Sequence, residues 1–113
     1  MKTKSMSKII CLALATIVDV PVLLFARTGA DDKSAATYKA KCASCHGADG
    51  KGDTPAGKST KTRSFADPEV VKASDDDFAG IIEKGKGKMP GYSKSMKPDA
   101  IKDMVAYIRS LAK

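Results

Sequence analysis

Five consecutive residues, Cys42-Ala43-Ser44-Cys45-His46, hold two of the chain's three cysteines and its single histidine. Thiols and an imidazole so spaced can serve four chemistries. A structural zinc site needs about four protein ligands, and two Cys with one His leave it one short. A redox dithiol of the thioredoxin kind needs a strand before it and a helix after it; here a helical stretch comes first and a glycine-rich one follows. A local disulfide beside a surface histidine asks nothing more of the chain. The fourth reading is covalent haem attachment, for which C-x-x-C-H is the pattern. Two thiols three positions apart at a helix end can add to the two vinyl groups on one porphyrin edge. The adjacent imidazole is then held beneath the iron. The pentapeptide alone leaves all four open.

A haem iron held by His46 has a second axial position, so the rest of the chain must be read for a partner. With one histidine, bis-histidine ligation within the chain is excluded. Met104 falls on the apolar stripe of the last helix and reads as core. Met96, just before Pro98, reads as an apolar plug at the start of that helix. Met89 stands in "GKGKMPGY", a polar glycine loop that gives a methionine no packing reason to be there. A thioether opposite the imidazole raises the reduction potential, and the pair fills both axial positions.

The elements that must position these residues are helical. Ser34 to Cys45 is Ala-rich and reads as a short helix, with Tyr38 one turn before Cys42. Gly47 to Lys61 turns abruptly to Gly, Asp, Lys, Thr and Pro and is expected to be a long loop. Asp67-Pro68 is an N-cap followed by Pro at the first helical position. Ser74 followed by Asp75, Asp76 and Asp77 is a second start signal, with acids complementing the helix dipole. Phe78, Ile81 and Ile82 then share one face, and Gly85 and Gly87 end the helix. Pro98 opens a last helix whose Ile101, Met104, Val105, Ile108 and Leu111 make a broad apolar stripe. No segment alternates as a strand does. The fold class is therefore all-α: three to four short helices and two irregular loops. They supply too few large side chains for a self-sufficient core, and domains this small usually lean on a cofactor, metal or disulfide.

The N-terminus has Lys2, Lys4 and Lys8 and then the apolar run Ile9 to Val18, the order of a secretory signal peptide. Asp19 and Pro21 interrupt the run, and a carboxylate mid-membrane costs about 2.5–3.5 kcal/mol, so no permanent span is expected. Cleavage is placed after Ala30, with Ala26 as the second choice, giving a signal peptide over residues 1–30 and one domain over 31–113. The expected location is the periplasm; an uncleaved segment would tether the domain to the membrane. Cys11 falls in the removed part. The chain carries +7; the segment to Ala30 holds four basic residues and one acid, which leaves 16 basic against 12 acidic, or +4. That mild excess favours an acidic protein partner over nucleic acid, and the absence of Trp removes the best stacking platform for single strands. A monomer is expected.

From about Ser34 to Leu111 the chain resembles a small class I cytochrome c of the bacterial periplasmic kind. The matching stretches are "CASCHGADGKGDTPAGK", "GKGKMPGY" and "DMVAYIRSLAK". The resemblance implies one covalent haem c with iron, thioethers at Cys42 and Cys45, His46 as proximal ligand and Met89 as distal ligand. It implies that Pro55 offers its carbonyl to the imidazole N–H of His46. It also implies a crossing of the first and last helices, where Tyr38 meets Met104 and Tyr107. Two departures stand out. The first helix lacks the glycine many relatives use at that crossing, and Ser34 is the nearest small residue. No Trp is available for a haem propionate, which leaves Arg63, Lys61 or Tyr92 for that role. The implied function is a one-electron carrier, not an enzyme, with Lys84, Lys86, Lys88, Lys94 and Lys97 steering acidic redox partners. The alternatives are a haem sensor or weak peroxidase, in which Met89 is displaced by a small ligand, and an electron-transfer subunit of a larger enzyme.

Overall fold

A computed structural model describes residues 28–113 of the chain. The lysine-rich and apolar leader, Ala26 and Cys11 lie outside those residues. Six helices follow one another: α1 (Thr28–Lys41), α2 (Ala43–His46), α3 (Pro55–Thr60), α4 (Pro68–Val71), α5 (Asp75–Lys84) and α6 (Pro98–Leu111). Among the described residues there is no strand, only an isolated bridge between Lys86 and Met89. None of the described helices is long and apolar enough to cross a membrane. The all-α expectation holds.

The helix starts are chemical. Asp67 accepts the Glu69 amide at 2.9 Å, and Pro68 occupies the first turn of α4. Ser74 and Asp77 close a capping box: the hydroxyl accepts the Asp77 amide at 3.1 Å, and the carboxylate accepts the Ser74 amide at 3.2 Å. The Ser74 hydroxyl also lies 2.8 Å from that carboxylate, and its hydrogen bond, with that of the Ser74 amide, holds the Asp77 carboxyl below its ordinary pKa. Gly85, at φ +80°, ends α5.

Two expectations need correction. The first helix was expected over Ser34–Cys45; it runs from Thr28 to Lys41, and the chain pinches at Cys42 before α2. Cys42 keeps a helical φ and ψ (−117°, −38°) but its carbonyl is shared between the amides of Cys45 and His46. That local tightening sets α2 apart. The long loop from Gly47 to Lys61 contains α3. Thr54 caps it by accepting the Gly57 amide at 2.9 Å, with Pro55 in the first turn. This is the cap-then-proline signal seen at Asp67-Pro68, hidden here among glycines and lysines.

The core lies where α1 packs on α6 and α6 on α5. Tyr38 and Met104 are each 1% exposed, joined by Ile82, Met96, Ile101, Val105 and Ile108. The Tyr38 and Tyr107 rings meet at 5.3 Å, which is the crossing expected of the first and last helices. Ser34, one turn before Tyr38, is buried with it. Met96 and Met104 are core residues, as read from their positions.

Arg109 lies off the apolar stripe of α6, on the side that faces the α4–α5 turn. Its guanidinium donates to Asp75 Oδ1 at 3.0 Å, to the Val71 carbonyl at 3.2 Å and to the Ala73 carbonyl. It also lies 4.3 Å from the Phe78 ring centroid. One side chain thus ties the end of α6 to the α4–α5 turn. Charged hydrogen bonds contribute about 1.5–3 kcal/mol each, less when partly exposed, so Arg109→Ala is expected to lower stability by roughly 2 kcal/mol. Urea denaturation followed by far-UV circular dichroism measures this, with Lys102→Ala unchanged as the reference.

Candidate functional site

The sequence around Cys42–His46 folds as a helix end braced from behind. The Tyr38 hydroxyl donates to the Gly47 carbonyl at 2.7 Å in a buried bond, so α1 reaches past the motif to the turn that follows it. Burial drives the Tyr38 phenol pKa well above its ordinary value, so it is a permanent donor. The Gly52 amide donates to the His46 carbonyl at 2.7 Å and folds the 47–52 turn back under the motif. The Thr54 hydroxyl lies 2.7 Å from the Ser44 carbonyl and 3.1 Å from that of Cys45. These are orphan carbonyls at a helix C-terminus, which need partners. Gly57 lets α3 close on α2: a Cβ there would fall inside the carbonyl oxygens of Cys45 and Gly52.

In front of the motif opens a cleft of about 430 Å³, the size of an ordinary small-molecule or cofactor site. Cys42, Cys45, His46 and Met89 all line it. Residues 44 apart in the chain thereby face one space. Most of the remaining wall is apolar, from Phe65, Val70, Phe78, Ile81, Ile82 and Ile108.

The geometry separates the four chemistries left open by the pentapeptide. Cys42 and Cys45 are both free thiols, which removes the disulfide. Among the described residues no group of three or more His, Cys, Asp and Glu is arranged to hold a metal ion. Burial raises the Cys42 thiol pKa, with Lys41 opposing by a smaller amount. A redox dithiol needs a lowered thiol pKa and a strand before it, and it has neither. Burial lowers the His46 pKa, so the imidazole is held neutral, its ligating form.

His46 Nδ1 is buried and has no hydrogen-bond partner. Pro55 therefore does not offer it a carbonyl. Pro55 stands exposed at the first turn of α3 and does not line the cleft. The resemblance had Pro55 in a loop; it is instead the first residue of a capped helix. Arg63 and Lys61 do line the cleft, with Thr60 and Thr62 beside them. Arg63 is mostly exposed and lies 3.5 Å from Asp67. Tyr92 lines the cleft too, but its hydroxyl donates to the Lys41 carbonyl at 3.0 Å.

The Met89 loop is less mobile than its glycines imply. Lys86 and Met89 exchange both backbone hydrogen bonds at 3.0 Å, with Gly87 at φ +57° as the first turn residue. The Tyr92 amide returns to the Ile82 carbonyl at 2.8 Å. A Cβ on Gly85 would meet the Met89 carbonyl at 2.6 Å, and one on Gly91 the Glu83 carbonyl at 2.7 Å. These glycines permit close packing.

Sequence reasoning missed Phe65, Thr54 and Gly57 as site residues. Thr54 carried a signal, the cap-then-proline pair; Phe65 and Gly57 are identified only by what they touch.

The fit to a covalently held haem is specific to this structure: an apolar cleft, two unpaired thiols and a neutral imidazole on one wall, and a thioether-bearing loop closing it. Comparison with known proteins agrees. Residues 29–108 match the family described as "Cytochrome C oxidase, cbb3-type, subunit III". Among solved structures, a chain titled "KustC0563 c-type cytochrome" is 30% identical, with a TM-score of 0.65, over 71% of this chain and 98% of that one. Comparison with curated proteins gave no match.

Two glycines give opposite expectations. Gly57→Ala forces α3 off the motif and is expected to lower the melting temperature and the yield of haem-loaded protein. Gly80→Ala, inside α5 with nothing within 4 Å of the new Cβ, is expected to stabilise by about 0.5–1 kcal/mol. Parallel thermal melts and haem quantitation of the two variants check both.

Proposed function

The chain belongs to the cbb3-type cytochrome c oxidase subunit III family of c-type cytochrome domains, and from that premise we propose that it is a one-electron carrier with His46 and Met89 as axial ligands. A c-type cytochrome domain binds haem c covalently and serves electron transfer. Bound there, haem c supplies an iron that takes up and returns a single electron.

The chain's own residues do the rest. Cys42 and Cys45 would hold the haem through thioether bonds. His46, through Nε2, and Met89, through Sδ, would hold its iron. The observation that carries this reading is that all four side chains line one apolar cleft. A carrier gains from rigid ligands, because little then reorganises when the electron moves. The doubly bonded Lys86–Met89 turn and the packed Gly85 favour that role over the displaceable ligand a sensor or peroxidase needs. Arg63 and Lys61, both on the cleft, are the residues we assign to the haem propionates; Tyr92 has its hydroxyl engaged on Lys41. Lys86 and Lys88, on the cleft rim beside Met89, with Lys84, Lys94 and Lys97 nearby in the chain, form the proposed docking face for an acidic redox protein. The periplasm remains the proposed location, reached through an N-terminal export signal.

A second reading has one observation behind it. The matching family is described by an oxidase subunit, so attachment to a larger enzyme is the alternative to free shuttling. Co-purification at physiological salt separates the two.

Met89→Ala is expected to abolish the sulfur-to-ferric charge-transfer band of the oxidised protein and lower its reduction potential. Met96→Leu and Met104→Leu should leave the band in place. A band that survives Met89→Ala ends the assignment. The docking face makes a separate prediction: reduction by the acidic partner should slow as salt rises, because exposed charges are screened beyond about 10 Å at 0.1 M. Lys86→Glu with Lys88→Glu should flatten that dependence in stopped-flow traces.

A further inference from the structure

The helical bonding breaks between α1 and α2, immediately before the motif. In an unbroken helix the Lys41 carbonyl would take the Cys45 amide; that amide turns instead to the Cys42 carbonyl, at 3.2 Å. The Tyr92 hydroxyl comes in at the break and donates to the Lys41 carbonyl at 3.0 Å. The Lys41 ammonium lies 6.0 Å from the centre of the Tyr92 ring, at the reach of a cation–π contact. A residue that follows the Met89 loop thus grips the chain one position before the first cysteine of the motif, across 51 residues of sequence.

Tyr92 is also firmly coupled to Met89. Its amide donates to the Ile82 carbonyl at 2.8 Å, and its carbonyl accepts the amides of Ser95 and Met96 at 2.9 and 2.8 Å. Met96 is buried in the core, so these bonds fix the Tyr92 backbone on both sides. Pro90 and Gly91 lie between Met89 and Tyr92. Proline holds φ at about −65°, and Gly91 packs so closely on α5 that a Cβ there would lie 2.7 Å from the Glu83 carbonyl oxygen. Met89 and Tyr92 therefore move as one piece, and both line the cleft with Cys42 and Cys45.

We propose that Tyr92 is a positioning residue whose hydroxyl latches the Met89 loop to the Cys42–His46 motif, and that this latch sets how readily Met89 gives way to an outside ligand. The proposal deepens the carrier reading and rests on Met89 as the distal ligand. Latched, Met89 leaves its place only when the Lys41 carbonyl is also released. Loss of one neutral hydrogen bond shifts such an opening equilibrium roughly 2- to 10-fold.

The test titrates ferric haem-loaded protein with imidazole and follows loss of the sulfur-to-ferric charge-transfer band. Tyr92→Phe removes one oxygen atom and keeps the ring; it should bind imidazole roughly 2- to 10-fold more tightly than wild type. Hydrogen exchange at the amide of position 92, which is bonded to Ile82, should quicken by a similar factor. Exchange reads the loop without reference to the iron. A wild-type protein that lacks the band therefore ends Met89 ligation, while exchange still decides the latch. Val105→Ala, a truncation in the core and away from the cleft, costs stability and should leave imidazole affinity alone. Unchanged affinity or unchanged exchange in Tyr92→Phe, or an equal gain in affinity in Val105→Ala, overturns the proposal.

Discussion

The buried bond from the Tyr38 hydroxyl to the Gly47 carbonyl, 2.7 Å long, joins the two halves of this domain. Tyr38 sits at the crossing of α1 and α6 with 1% of its surface exposed, against Met104 and the Tyr107 ring. Its hydroxyl passes beyond that crossing to the turn immediately after His46. Whatever orders the helix crossing therefore also orders the ligand-bearing motif. The Gly47 carbonyl also accepts the Gly50 amide, so a broken bond would leave the buried Tyr38 hydroxyl unpaired, at about 1–3 kcal/mol, in a domain whose whole stability is of order 5–15 kcal/mol.

The motif is then braced on three sides. Thr54 takes up the carbonyls at the end of α2, Gly57 lets α3 approach them, and Gly52 turns the chain back to His46. Phe65, stacked on the imidazole with ring centroids 4.7 Å apart and an interplanar angle of 14°, adds the fourth constraint. The opposite wall follows another logic. The Met89 loop holds its shape through backbone bonds within itself and back to α5. One wall is fixed by side chains and close packing, the other by a tight turn. Both suit a site that must keep its geometry while its charge changes.

The apolar cleft explains why so small a chain can dispense with a larger core. Phe65, Val70, Phe78 and Ile81 face the cleft, so the cofactor implied by the family completes a core of which the protein supplies one side. Arg109 compensates at the far end, where α4 is a single turn and α5 short, by replacing missing apolar contacts with hydrogen bonds to two carbonyls and a carboxylate.

The ligand motif, the helical class, the starts of α4, α5 and α6 and the core roles of Met96 and Met104 were all legible in the sequence, because each depends on neighbours a few residues away. A capping side chain, a proline in the first turn and an apolar stripe carry their physics locally. α3 was legible in principle through Thr54-Pro55, yet composition outweighed the cap. His46 Nδ1 meets no protein partner, Pro55 included, a relation between residues nine apart that spacing does not fix. The stack of Phe65 on His46 links residues 19 apart, and Gly57 matters through the carbonyl of Cys45; neither follows from spacing. The sequence by itself determined the spacing of the thiols and imidazole and the glycine loop around Met89. Only the tertiary structure decided that the Phe65 ring packs against the histidine and that Met89 shares its cleft, because those surfaces come from elsewhere in the chain.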